Sequence, residues 1–176
     1  MACINKLNQA ITFGCTGGSV GLAELLLVNT VDVASKVIVN NVMTDIVFYS
    51  GANAYKVDCH NNGAKMVEAL RLLDGASGVE QTLTVTVYDK TDAGARIIEA
   101  LTSGKFIAFG KLEDGSVVKI QGALTGLEAA TSDSDTSASG GFCTVTLKTP
   151  DGARGDKTIV ASTSGWDYLK VNEQTA

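Results

Sequence analysis

The chain has one histidine, His60, and four cysteines, Cys3, Cys15, Cys59 and Cys143. A histidine acting as general base needs a nucleophile or carboxylate brought to it by the fold. His60 lies in His60-Asn61-Asn62-Gly63, a turn-like stretch after a strand, so a surface turn is expected. No cysteine forms a C-x-x-C pair and no second histidine exists, which is not zinc-ligand spacing. The cysteines are expected to be small buried apolar residues, with disulfides as the alternative. Gly14-Cys15-Thr16-Gly17-Gly18-Ser19-Val20-Gly21 has the glycines of a phosphate loop, but it lacks the Gly-Lys-Ser/Thr ending and leads into a strand. Asp133 and Asp135 among serines lack the mid-loop glycine and terminal glutamate of a calcium loop. Asp89, Asp92 and Glu99 could pair as carboxylates, although Asp92 is better explained as a favourable charge at a helix start. No catalytic residue, metal site or cofactor is therefore expected, and the protein is expected not to be an enzyme.

Composition points to a surface-based role. The 176 residues are 45% apolar, enough for a core without disulfides or metal, and glycine occurs 19 times. The net charge of −5 disfavours held nucleic acid, since phosphate contacts need clustered Lys and Arg. An acidic surface would instead let DNA slide past without sticking. Met1-Ala2-Cys3-Ile4-Asn5-Lys6 does not open a signal peptide, and the apolar run Leu22 to Val28 contains Glu24 and is too short for a bilayer. Synthesis in the cytoplasm without a membrane anchor is expected.

Period-two patterns dominate. Tyr55, Val57 and Cys59, then Leu83, Val85 and Val87, then Cys143, Val145 and Leu147 alternate with polar residues, as half-buried strands do. Further strands are expected at Ile11–Phe13, Leu22–Val28, Lys36–Val39, Asp45–Tyr49, Phe106–Leu112, Val117–Gln121 and Thr158–Ala161. Asp114-Gly115 marks a hairpin, and Pro150-Asp151-Gly152 a second with a wider loop. One helix is expected at about residues 91–103, capped by Thr91 or Asp92 and ended by Gly104, with Ala93, Ile97, Ile98 and Leu101 as its apolar stripe. Ala64–Leu73 fits helix or strand. Thr131–Gly141 reads as a long exposed loop. The expected architecture is a mainly β domain over residues 1–162, an antiparallel β-sandwich or partial barrel with one flanking α-helix. Residues 163–176 form a C-terminal arm whose Trp166, Tyr168 and Leu169 would dock on the body or on a neighbour.

Tyr88 to Ala108, with Arg96-Ile97-Ile98-Glu99-Ala100-Leu101 leading to Gly104-Lys105-Phe106-Ile107-Ala108, resembles the tail-tube (major tail) proteins of phages infecting Bacteroidetes. The order that follows is similar too: an Asp-Gly hairpin, Gly122-Ala123-Leu124-Thr125-Gly126-Leu127, a Gly/Ser-rich loop, and Gly140-Gly141-Phe142 before Thr144-Val145-Thr146-Leu147. Cys15 through Gly21-Leu22-Ala23-Glu24-Leu25 looks like that family's first core strand. The likeness is best over residues 80–148, and the segment from Thr163 departs from it.

The resemblance implies a virion structural protein that assembles with itself into stacked rings, hexameric or trimeric with pseudo-sixfold symmetry, forming a tube with other tail proteins. DNA would be cargo in transit. Thr82, Thr84 and Thr86 would suit a lumen wall. Edge strands would pair between neighbours. Inter-subunit contacts would fall on Trp166, Tyr168, Leu169, Asn41 and Asn62, with Asn40–Thr44 and Asn61–Gly78 ordering on stacking. The alternatives are a capsid decoration protein, the inner tube of a contractile injection system, a carbohydrate-binding β-sandwich, and an enzyme with an unrecognised site.

Overall fold

In the computed structural model, residues 21–57, 59, 63–73, 76–113, 117–134, 143–150 and 158–174 are described, 71–73 and 76–77 by backbone only. The expected strand at Ile11–Phe13, and His60 and Asn62, lie outside them. The protein is mainly β, as expected, and the twelve strands among the described residues belong to one mixed sheet. The described residues carry two α-helices rather than one.

The sheet is organised around two strands, β1 (Leu22–Asn29) and β7 (Lys105–Leu112), which pair antiparallel along almost their whole length. Both are buried on both faces. Leu25, Leu26 and Val28 are 0% exposed, as are Ala108 and Phe109. Opposite residues in an antiparallel pair share a face. Leu26 with Phe109 and Val28 with Ile107 therefore point one way, while Leu27 with Ala108 points the other. The first face builds one core with Met43, Ile46, Phe48, Val118, Ile120, Ile159, Trp166 and Leu169. The second builds another with Leu83, Val85, Val87, Leu101, Leu127, Cys143, Val145 and Leu147. Each fully buried large side chain contributes roughly 1.5–3 kcal/mol.

Along its other edge, β7 forks the sheet. Its start pairs β9 (Leu127–Ser134) through Lys105 and Phe106, and its end pairs β8 (Val118–Gln121) through Ala108 to Lys111. One arm continues from β8 to β11 (Ile159–Ala161), β3 (Val42–Phe48) and β2 (Val33–Val39). The other continues from β9 to β10 (Cys143–Lys148), β6 (Ala76–Val87) and β5 (Ala64–Leu73). On the far side of β1 lies β4 (Ala54–Val57), extended in parallel by β12 (Glu173–Gln174).

One open reading is resolved and several expectations are corrected. Ala64–Leu73 is a strand, because the alternating Thr/Val register of β6 offers it ten consecutive partners, Ala64 with Val85 through Leu73 with Ala76. The loop expected from Thr131 begins as strand, since the backbone of Thr131–Ser134 pairs with β10 despite its polar side chains. The β7–β8 hairpin forms, with its tip outside the described residues. The second hairpin does not. β10 pairs β9 and β6, whereas β11 lies in the other arm, antiparallel to β8 and parallel to β3. Just past β10, Thr149 is tied to Gln81, its amide donating to the Gln81 carbonyl at 3.0 Å. Asn40–Thr44 is not a free loop: Asn40 and Asn41 (φ 50° and 64°) form the tight β2–β3 turn.

Helix α1 (Asp92–Ser103) starts and ends where expected but is rotated from the expected stripe. Gly94 and Leu101 are buried and Ile98 is half-buried, while Ala93 is exposed and Ile97 is 48% exposed. A Cβ on Gly94 would come within 2.1 Å of the Asp89 carbonyl oxygen, so the helix seats itself on its glycine. Within the C-terminal arm, helix α2 (Thr163–Val171) docks on the body of its own chain, and the Ser162 hydroxyl caps it by accepting from the Gly165 amide at 3.2 Å.

Burial on both faces makes a specific prediction. Leu26→Ala and Leu27→Ala, neighbours facing opposite cores, are each expected to cost about 2–5 kcal/mol in urea unfolding. A strand buried on one face only would give one large and one negligible loss.

Candidate functional site

The arm β9-β10-β6-β5 carries the most regular polar surface among the described residues. Its registers place Asp133, Thr144 and Thr86 in one cross-strand row, and Thr131, Thr146, Thr84 and Lys65 in the next. A third holds Glu128, Lys148, Thr82 and Val67. The threonines of β6 and β10 are half-exposed, while their alternates Leu83, Val85, Val145 and Leu147 fill the second core. Such cross-strand pairs contribute roughly 0.2–1 kcal/mol each. Two ion pairs lie near this face: Lys148 is 3.7 Å from Glu80 and Lys105 2.5 Å from Glu128.

Both outer edges of this arm are open among the described residues. β5 pairs only β6, and β9 beyond Glu128 pairs only β10. Four successive antiparallel strands have edge strands running in opposite directions, so a junction between copies, β5 against β9, would again be antiparallel. β10 reaches along β6 only from Val87 to Thr82, leaving Glu68–Leu73 with Ala76–Gln81 as a two-stranded ribbon about 20 Å long. On it Leu70 is 71% exposed. A lone two-stranded ribbon is marginal in water.

The base of the ribbon is locked by buried polar groups. Gln81, 0% exposed, accepts from the Gly122 amide at 2.8 Å and donates from Nε2 to Glu68 Oε1 at 3.2 Å. Its amide donates to the Thr149 hydroxyl, and Gln121 Nε2 donates to the Val67 carbonyl at 2.9 Å. These residues were legible only indirectly: Gln81 stands at the inward parity of Leu83, Val85 and Val87, where an apolar residue is expected.

Of the residues singled out for inter-subunit contact, Trp166, Tyr168 and Leu169 share α2, Asn41 lies at the β2–β3 turn, and Asn62 is outside the described residues. Trp166 and Leu169 belong to the first core, 7% and 0% exposed, so packing within the chain leaves them no surface for a neighbour. Tyr168 stacks edge-on against Phe48 at 5.4 Å, and its hydroxyl accepts from the Phe48 amide at 3.1 Å. Asn41 is exposed at the β2–β3 turn, its carbonyl accepting from the Val160 amide. Among the described residues no group of three or more His, Cys, Asp or Glu could hold a metal. No described helix is long and apolar enough to cross a membrane. Asp92 is paired at 3.9 Å with Arg96 one turn on, and Asp89 Oδ1 accepts from the Thr91 amide at 2.8 Å. No protein-family model matches the chain, and neither a curated protein nor a solved structure matches it.

The amide and hydroxyl of Thr91 hold the Asp89 carboxyl below its ordinary value. A depressed carboxylate stabilises the fold fully above its unfolded value and loses that contribution as pH falls through the folded one. Asp89→Ala is therefore expected to speed amide exchange in the first turn of α1 at neutral pH and to leave it unchanged in acid. Equal acceleration at both pH values would contradict this role.

Proposed function

We propose that the chain is a structural virion protein that assembles with itself into stacked rings, forming a phage tail tube through which DNA passes. The observation that carries this reading is the arm β9-β10-β6-β5, a sheet with an outward threonine face and, among the described residues, two open edges of opposite direction. Pairing β5 of one copy to β9 of the next is a heterologous contact, which closes into a ring or continues as a filament. The hydroxyl face would then line the inside. On a chain of net charge −5 it offers DNA no cluster of cations to stick to. The sequence resemblance to tail-tube proteins supports the same reading, as does the projecting ribbon, whose exposed Leu70 would be covered by a further copy.

Electron microscopy of the concentrated protein is expected to show rings or tubes. Dispersed monomers under all conditions would overturn the proposal, and closed shells decorated by the protein would move it to a capsid role. Edge variants test the junction itself. Leu70→Glu on β5 and Thr131→Lys on β9 change exposed residues, so each is expected to alter stability by no more than about 0.5 kcal/mol. Each alone should abolish assembly. Mixed in equal amounts they should give dimers and nothing larger, because each retains the edge that the other has lost.

A further inference from the structure

The two edges that are open among the described residues restrict how one copy can align on the next. On β5, the Thr86 amide donates to the Gly63 carbonyl, so Lys65 and Val67, at the same parity, also turn their backbone groups toward β6. Ala64 and Met66 turn theirs to the open edge. On the other side, the Thr149 amide donates to the Gln81 carbonyl, which sets Val145 and Leu147 to bond β6. Thr144 and Thr146 therefore bond Asp133 and Thr131 of β9, and Ser132 and Ser134 face its open edge.

Opposite residues in an antiparallel pair share a face. A junction that continues the threonine face must then set Asp133 against Lys65, Val67, Ala69 or Arg71 of β5. Charge chooses among them. Asp133 and Lys65 are both exposed, and neither has an ion-pair partner among the described residues, whereas Lys148 pairs Glu80 and Lys105 pairs Glu128. Val67 or Ala69 would leave the carboxylate against an apolar side chain. Arg71 stands on the ribbon, where β5 has β6 alone behind it. Lys65 stands where β6 is itself backed by β10, through Thr84 and Thr146.

We propose, resting on the ring assembly inferred above, that β9 of one copy pairs with β5 of the next in the register that sets Asp133 opposite Lys65 and Thr131 opposite Val67. Ser132 with Met66 and Ser134 with Ala64 then exchange the backbone hydrogen bonds. Asp133 with Lys65 is the non-hydrogen-bonded pair between them, the kind in which opposed side chains stand closest. The ion pair exists only in the assembly, and it disfavours the slipped registers that set Asp133 against Val67 or Ala69.

Charge reversal tests the register in the full chain, with assembly followed by sedimentation and electron microscopy. Lys65→Glu sets two acids against each other at every junction, and Asp133→Lys sets two bases. Each alone is expected to raise the concentration needed for assembly about tenfold. An equal mixture of the two should assemble near the original concentration, in alternation, because each variant then meets the opposite charge at both of its edges. Circular dichroism checks that both are folded. If either is not, Lys65→Gln and Asp133→Asn serve instead, each weakening assembly and the two together costing no more than one alone. Single reversals that assemble like the original, or a mixture that stays dispersed, overturn the register and leave tube formation standing. Rescue of Asp133→Lys by Arg71→Glu in place of Lys65→Glu moves the junction to the ribbon and overturns it too. An original chain that never assembles removes the proposed function and this register together.

Discussion

The burial of β1 and β7 on both faces is the constraint on which the rest of the structure depends. A single antiparallel pair separates two cores, so every other element must pack against one side of it or the other. Leu26, Val28, Ile107 and Phe109 recruit β3, β8, β11 and α2; Leu25, Leu27, Phe106 and Ala108 recruit β6, β9, β10 and α1. Both strands consequently read as near-continuous apolar runs, which is normal for strands covered on two faces and unusual in antiparallel sheets.

The fork at β7 follows from that constraint. A strand has only two edges, and β1 occupies one of them from Phe106 to Leu112. The other is shared by β8 and β9, joined by the turn that contains Gly122 and Gly126 at φ 73° and 75°. Each then leads its own arm over its own core. Sharing leaves most of β9 without a partner on its β7 side among the described residues, and β5 is the other such edge of that arm. The buried Gln81 at the ribbon base fixes how the ribbon leaves the body, because its amide group is hydrogen-bonded at both ends.

Much of this was legible in the chain, for local reasons. Leu83–Val87 and Cys143–Leu147 declare their strands by strict alternation, and α1 declares its ends through Thr91 and Gly104. What was not legible depends on long-range pairing. Met66, Leu70 and Leu73 have helical spacing, and only the ladder to β6 makes them strand. Thr131–Ser134 have loop composition and take their conformation from β10. The apolar face of α1 was misjudged because Gly94, which carries no apolar signal, is its contact point. The threonine face could be anticipated from the sequence, but its open edges could not, since strand order is not written in any one segment. Trp166 and Leu169 signalled burial correctly; they are buried within their own chain.

Native-state hydrogen exchange of the unassembled protein tests the central constraint most directly. If the β1–β7 pair holds the two cores together, the amides of Leu25–Val28 and Ile107–Phe109 that bond across the pair exchange only through global unfolding, with the highest protection in the chain. Amides of the β5–β6 ribbon should open at far lower free energy. A β1–β7 pair that exchanges more readily than β6 and β10 would contradict the account, because one core would then persist without the strands said to join both.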